Sequence, residues 1–165
     1  MNLGVVDAKE ADIARIAALR NAAGEDLARR FAVRVPCVSE AAVQRGLSMS
    51  RTLVACSGDA IVATLRLATK KPWAIDVSYF TKVERAIYLH DMAVDPDLQR
   101  QGIGRALVAE AKAIARSWPA HSIRLDAYDA PHGAGGFYAR CGFSEMGRVT
   151  YRKTQLIYFE LLLPE

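Results

Sequence analysis

Residues 87–117 carry the pattern that most restricts what this chain can fold into. Ile87–Val94 is a strand-length apolar run. It enters a turn at Asp95–Gln101 containing Pro96, then a loop with two glycines, Gly102 and Gly104. A helix begins inside that loop: Ile103, Leu107, Ala111 and Ile114 recur at helical spacing along Gly102–Ser117, and Pro119 stops it. Ser122–Ala127 then reads as another strand, with Ile123, Leu125 and Ala127 on one face. Strand, helix and strand in that order imply one right-handed parallel crossover.

The rest of the chain frames this unit. Leu3–Val6 is a short apolar opening, and Ala8–Phe31 has helical periodicity through Ile13, Ile16, Leu19 and Leu27, with Gly24 expected to break it. Val35-Pro36 leaves helical space, and Ser39 is placed to cap a second helix. Thr52–Cys56 and Ala60–Leu67 flank Ser57-Gly58-Asp59 as a hairpin. Lys70–Glu84 reads as a long irregular connection, of the kind that often carries function. Ala134–Cys141 reads as a short helix closed by Gly142, and Phe143–Val149 and Leu156–Leu163 as closing strands. The expected architecture is a single α/β (α+β) domain over residues 1–165, with a mixed, mostly antiparallel sheet flanked by helices.

Composition excludes several classes. At 165 residues and 52% hydrophobic content the chain can bury a core and is not a disordered tail. No apolar run reaches the roughly 18–20 residues of a membrane span. The opening residues lack the pattern of a secretion signal, which makes cytoplasm the default compartment. Cys37, Cys56 and Cys141 are odd in number and contain no CxxC pair, so neither a disulfide framework nor a metal site is expected, and each reads as a small buried hydrophobe. The net charge of +4 is dispersed, which argues against nucleic acid but suits a polyanionic small ligand.

The glycine loop has the makings of an anion cradle. The first turn of a helix presents free N–H groups and partial positive charge. Glycines allow a phosphate to approach the backbone, and Arg100 and Arg105 add charge. Leu107 stands where a dinucleotide fingerprint has its third glycine, and no Lys-Ser or Lys-Thr pair of a P-loop is present.

Gln99-x-x-Gly102-x-Gly104 resembles the Q/R-x-x-G-x-G/A signature of the GCN5-related N-acetyltransferase (GNAT) family. Met92-Ala93-Val94 resembles the family's coenzyme A strand, and Phe137-Tyr138-Ala139-Arg140-Cys141-Gly142-Phe143 its F-Y-x-x-x-G-F segment. The pieces match in order and spacing over about residues 50–163. The resemblance implies an acetyl-CoA-dependent N-acetyltransferase, possible as a homodimer, acting on an amine, expected to be a small molecule. It implies that the main chain of Met92, Ala93 and Val94 pairs with the pantetheine arm. It implies that Gln99, Arg100, Gln101, Gly102, Ile103, Gly104 and Arg105 hold the pyrophosphate, that Ala134 is retained at the cofactor, and that Tyr138 protonates the leaving thiolate. The family often has Asn where this chain has Pro131.

A cationic amine must lose a proton before attack. On strand 87–94, Tyr88, His90 and Met92 are expected on one face and Leu89 and Asp91 on the other. His90 has a suitable intrinsic pKa, and the family's arylalkylamine branch places a histidine similarly; Asp91 is the alternative base. Trp73, Tyr79 and Phe80, in the long connection, are candidates for aromatic walls of the acceptor pocket. The competing reading is a catalytically silent acyl-CoA-binding sensor or interaction module of the same fold.

Overall fold

The computed structural model describes residues 2–130 and 134–164. Contacts group the chain into two compact units: Met1–Ala68 with His90–Ala111, and Thr69–Leu89 with Lys112–Glu165.

The first unit begins with β1 (Leu3–Asp7) and a 3-10 turn at Glu10–Asp12, followed by α1 (Ile13–Phe31) and α2 (Glu40–Met49). Gly24 does not interrupt α1. A Cβ there would stand 2.9 Å from Val35 Cγ1, so the glycine makes room for the returning chain. Ser39 caps α2 as expected, its Oγ accepting from the Ala42 N–H at 3.1 Å. The hairpin β2 (Arg51–Ser57) and β3 (Ala60–Ala68) pairs antiparallel, and β1 adds antiparallel to β2. Ile16, Ala17, Val43 and Val54 form this unit's core.

β4 (Ala86–Val94) runs through both units. In the second it pairs in parallel with β5 (Ser122–Tyr128), from Ala86↔Ser122 to Tyr88↔Arg124. The connecting helix is α3 (Ile103–Ser117). This is the expected crossover. α4 (Gly135–Arg140) follows, then β6 (Ser144–Tyr151) and β7 (Thr154–Leu162), paired antiparallel with each other, β7 also with β5. The strand order is β1-β2-β3-β4-β5-β7-β6. The sheet is thus seven-stranded, mixed and mostly antiparallel, flanked by helices, as the sequence leads one to expect.

Gly142 ends α4 with φ +95. Its N–H donates to the Ala139 carbonyl and that of Phe143 to the Tyr138 carbonyl, each at 3.0 Å, which satisfies carbonyls the helix leaves open. Ile75, Phe80, Tyr88 and Tyr158 form an aromatic core cluster in the second unit. The cysteines depart from expectation in part: Cys141 is buried, Cys56 is intermediate and Cys37 is exposed. Among the described residues no helix is long and apolar enough to cross a membrane, and no group of side chains could hold a metal ion.

Candidate active site

The glycine loop belongs to the first unit. After β4, Asp95 Oδ1 accepts from the Asp97 N–H at 3.0 Å and opens a 3-10 turn at Pro96–Leu98. Arg100 (φ +64) and Gly102 (φ +82) both take left-handed backbone. Left-handed residues in such a turn can aim backbone N–H groups toward one side, as in an anion-binding nest. A Cβ built on Gly102 meets no protein atom within 4 Å. The glycine therefore does not serve helix–strand packing. It supplies the positive φ and leaves open space at the start of α3. The first α3 bond, Ala106 N–H to the Gly102 carbonyl at 3.0 Å, fixes the helix terminus on this loop. Gln99 Oε1 accepts from Arg30 Nη2 at 3.0 Å, which ties the loop to α1. Arg100 is exposed and Arg105 is exposed, Gln101 is exposed and Ile103 is buried under the helix.

β4 departs from the expected alternation. Asp91 has φ +54, left-handed backbone in the interior of a strand. Tyr88 and His90 precede this break and Met92 follows it, so the regular side-chain period cannot be carried from one to the other. Tyr88 is buried, His90 and Met92 are half-buried and Ala93 is buried. Asp91 has both carboxylate oxygens engaged: Oδ1 lies 3.0 Å from Arg20 Nη2, and Oδ2 lies 2.8 Å from Arg66 Nε. Burial pushes the Arg20 guanidinium below its ordinary value, and the Asp91 charge acts against that.

Tyr138 lies in the second unit, on α4, and is 6% exposed. Its ring is packed by Phe137, Phe143 and Phe159 at centroid distances of 5.2, 5.7 and 5.8 Å. Burial pushes its phenol far above the ordinary range, so it is held protonated. Ala134 caps α4 by accepting the Tyr138 N–H at 3.1 Å. Pro131 lies outside the described residues.

The second unit also contains a cleft of about 710 Å³, lined by Lys71, Trp73, Tyr79, Arg148, Tyr151 and Tyr158 among others. Its walls are built rather than incidental. Tyr158 Oη donates to the Ala74 carbonyl and accepts the Asp76 N–H at 3.1 Å. Tyr79 stands edge-on to Tyr158 at 5.3 Å. The Tyr79 ring also lies against the Gly147 backbone, where a Cβ would come within 2.5 Å of Cδ1. Trp73, 85% exposed, lines the same cleft. Phe80 does not line it. At 8% exposed it packs on Tyr158 at 5.2 Å and under the Arg124 guanidinium at 5.1 Å. Sequence reasoning missed Tyr151, Lys71 and Arg148: Lys71 lies in the connection, which has no periodicity to set its face, Tyr151 at the tip of the β6–β7 hairpin, and Arg148 on β6, where nothing in the sequence says which cleft its face borders.

These elements match known proteins. The sequence profile described as the Acetyltransferase (GNAT) family matches residues 10–143. No curated protein sequence is significantly similar to the chain. Several solved structures share the fold. One, from Streptococcus mutans, has TM-score 0.78 and 21% identity, covering 96% of this chain and 98% of its own. A ribosomal-protein-alanine N-acetyltransferase from Brucella melitensis has TM-score 0.75 and 19% identity, covering 97% and 99%. A Salmonella typhimurium protein described as an acetyltransferase, solved with its cofactor acetyl-CoA, has TM-score 0.71 and 17% identity, covering 99% and 95%. With the profile matched over most of its length, the chain belongs to the acetyltransferase (GNAT) family, whose members use acetyl-CoA.

Proposed function

We propose that this protein transfers an acetyl group from acetyl-CoA to the amine of a small molecule, and that both units serve this one reaction as a single domain over 1–165. The observation that carries the cofactor assignment is Gly102, whose positive φ and open Cα side leave the start of α3 free for a phosphate to approach. Main-chain N–H groups of Gln99, Arg100, Gln101, Gly102, Ile103, Gly104 and Arg105 bind the pyrophosphate in this reading. The partial positive charge at the start of α3 adds to them. The main chain of Met92, Ala93 and Val94 holds the pantetheine arm, and Ala134 borders it. When bound, acetyl-CoA supplies an activated thioester.

The residues of the chain manage the protons. His90 takes the proton from the acceptor ammonium, a role for which the imidazole is suited near neutral pH. Asp91, with both oxygens engaged by guanidinium groups, is assigned to holding β4 rather than to proton transfer. Tyr138 stays protonated and donates its proton, or a hydrogen bond, to the leaving thiolate.

The cleft beside Trp73 and Tyr79 receives the acceptor. Its aromatic walls suit an amine with a flat apolar or aryl portion. Phe80 supports that wall from behind through Tyr158.

A free-thiol release assay with acetyl-CoA and a panel of arylalkyl and aliphatic amines tests this reading, with thermal unfolding alongside. Coenzyme A should raise Tm, because it binds only the native state, and NAD should not. In His90→Ala the acidic limb of the rate–pH profile should be lost. Stabilisation by NAD alone would overturn the cofactor assignment. Stabilisation by coenzyme A without thiol release for any amine would favour a silent acyl-CoA-binding module.

A further inference from the structure

Asp91 takes left-handed backbone inside a strand, with φ +54. For a residue with a side chain that conformation is costly, and it persists only where the surroundings over-determine it. The surroundings here come from three elements of the first unit, α1, α2 and β3. Arg20 reaches Asp91 Oδ1 from α1 at 3.0 Å, and Arg66 reaches Oδ2 from β3 at 2.8 Å. Arg66 is itself fixed, since its Nη1 donates to Ser50 Oγ at 3.0 Å. Gly46 on α2 leaves room for it, because a Cβ there would stand 2.9 Å from Arg66 Cδ. The cavity beside these groups is about 10 Å³, room for a single water. The two arginines are therefore not a ligand site; what they hold is the backbone.

We propose that Arg20 and Arg66 are positioning residues that clamp Asp91 in its left-handed conformation and thereby set the path of Met92–Val94. Left-handed backbone at one strand position resets the pleat for the residues after it. Without the clamp, residue 91 relaxes to extended backbone, and the N–H and C=O groups of Met92–Val94 rotate to new directions. The inference rests on the reading that this main chain receives acetyl-CoA, and it explains why a strand residue whose carboxylate makes no reaction step is so heavily restrained.

The test compares Arg66→Met, Asp91→Ala, Asp91→Gly and Asp91→Asn with the parent protein. In the protein without ligand, the residue-91 HN–Hα coupling and Cα chemical shift report φ directly. The expected result is left-handed values in the parent, a shift toward extended values in Arg66→Met, and the largest shift in Asp91→Ala. In kinetics, Arg66→Met and Asp91→Ala should raise KM for acetyl-CoA about tenfold, the scale of one lost charge-assisted restraint. Asp91→Gly should recover part of that loss, because glycine takes positive φ freely. The acidic limb should keep its position in Asp91→Asn. Unchanged φ and unchanged KM in Arg66→Met and Asp91→Ala overturn the clamp. Loss of the acidic limb in Asp91→Asn overturns it too, by making Asp91 the base. Should the parent protein neither bind coenzyme A nor release thiol, the functional reading fails. The coupling measurement then decides the clamp alone, and identical φ in parent and Arg66→Met counts against it.

Discussion

The Arg124 guanidinium and the Glu160 carboxylate meet at 3.0 Å inside the second unit, with the two residues 5% and 2% exposed. Both ends of the pair are completed by one residue of the long connection. Arg124 Nη2 donates to the Thr81 carbonyl at 2.6 Å, and the Thr81 N–H donates to Glu160 Oε1 at 3.1 Å. Tyr88 Oη accepts from Arg124 Nη1 at 3.2 Å. A buried ion pair must satisfy its remaining donors and acceptors to persist, and this one does so by fastening residue 81.

Removing one member leaves the other charged and buried. Glu160→Leu or Arg124→Met should each cost about 3–5 kcal/mol in urea unfolding, whereas the double variant should cost markedly less than the sum. A double variant as unstable as the sum of the singles would mean that the pair is not coupled.

Gly102→Ala meets no neighbouring protein atom, so packing should be undisturbed. The cost of φ +82 for a side-chain residue is about 1–2 kcal/mol and should appear in unfolding. Coenzyme A affinity measured by calorimetry should fall by at least about tenfold, or ~1.4 kcal/mol, because the new methyl occupies the cradle. Equal affinity in the variant would remove this loop from cofactor binding.

Tyr138→Phe keeps the ring packing and removes only the hydroxyl. Turnover should drop by roughly 10²–10⁴ with coenzyme A binding retained. Stability gives a second reading. Burial raises the native phenol above its unfolded value of 10.0. Its contribution is therefore complete below about pH 10 and is lost as pH rises toward the native value, since the unfolded chain ionises first. Urea titrations from pH 8 to above 10 should show a shallower alkaline decline for Tyr138→Phe than for the parent. An equal decline would place the hydroxyl in a hydrated environment.

Gly147→Ala puts a methyl where the Tyr79 ring now lies, 2.5 Å from Cδ1. The ring must swing out of the cleft. KM for aryl amines should rise several-fold, the scale of one displaced aromatic contact, with KM for acetyl-CoA unchanged. Adding Tyr79→Ala should relieve the clash in unfolding experiments without restoring aryl preference. A parallel rise in both KM values would point to a distorted sheet instead.

Much of this was legible in the chain itself. The strand at 87–94, the turn at Pro96, α3 and β5 follow from periodicity over residues close in sequence, and Gly102 stands out as a residue that leaves the backbone open to approach. What escaped depends on partners far away. The break at Asp91 is sustained by Arg66, 25 positions off, and by Arg20 still farther. Strand alternation alone therefore ran through it. Arg124 and Glu160 look like solvent-facing charges on alternating strands, and only their mutual pairing allows both inside. Phe80 looked like a pocket wall because its neighbours Tyr79 and Trp73 are, but it turns the other way, onto Tyr158.

Tyr158 and Glu160 stand two residues apart on β7, so their side chains rise from the same face of the strand. One grips the connection at Ala74 and Asp76, the other at Thr81. Between these two rivets lie residues 77–80, of which Phe80 packs inward on Tyr158 while Val77 and Tyr79 are exposed. Those two stand exposed on a segment whose route is fixed at both ends. If the cleft receives the amine as proposed, these exposed positions can change its selectivity while the frame beneath keeps its shape, so selectivity and folding in this region can evolve on separate schedules.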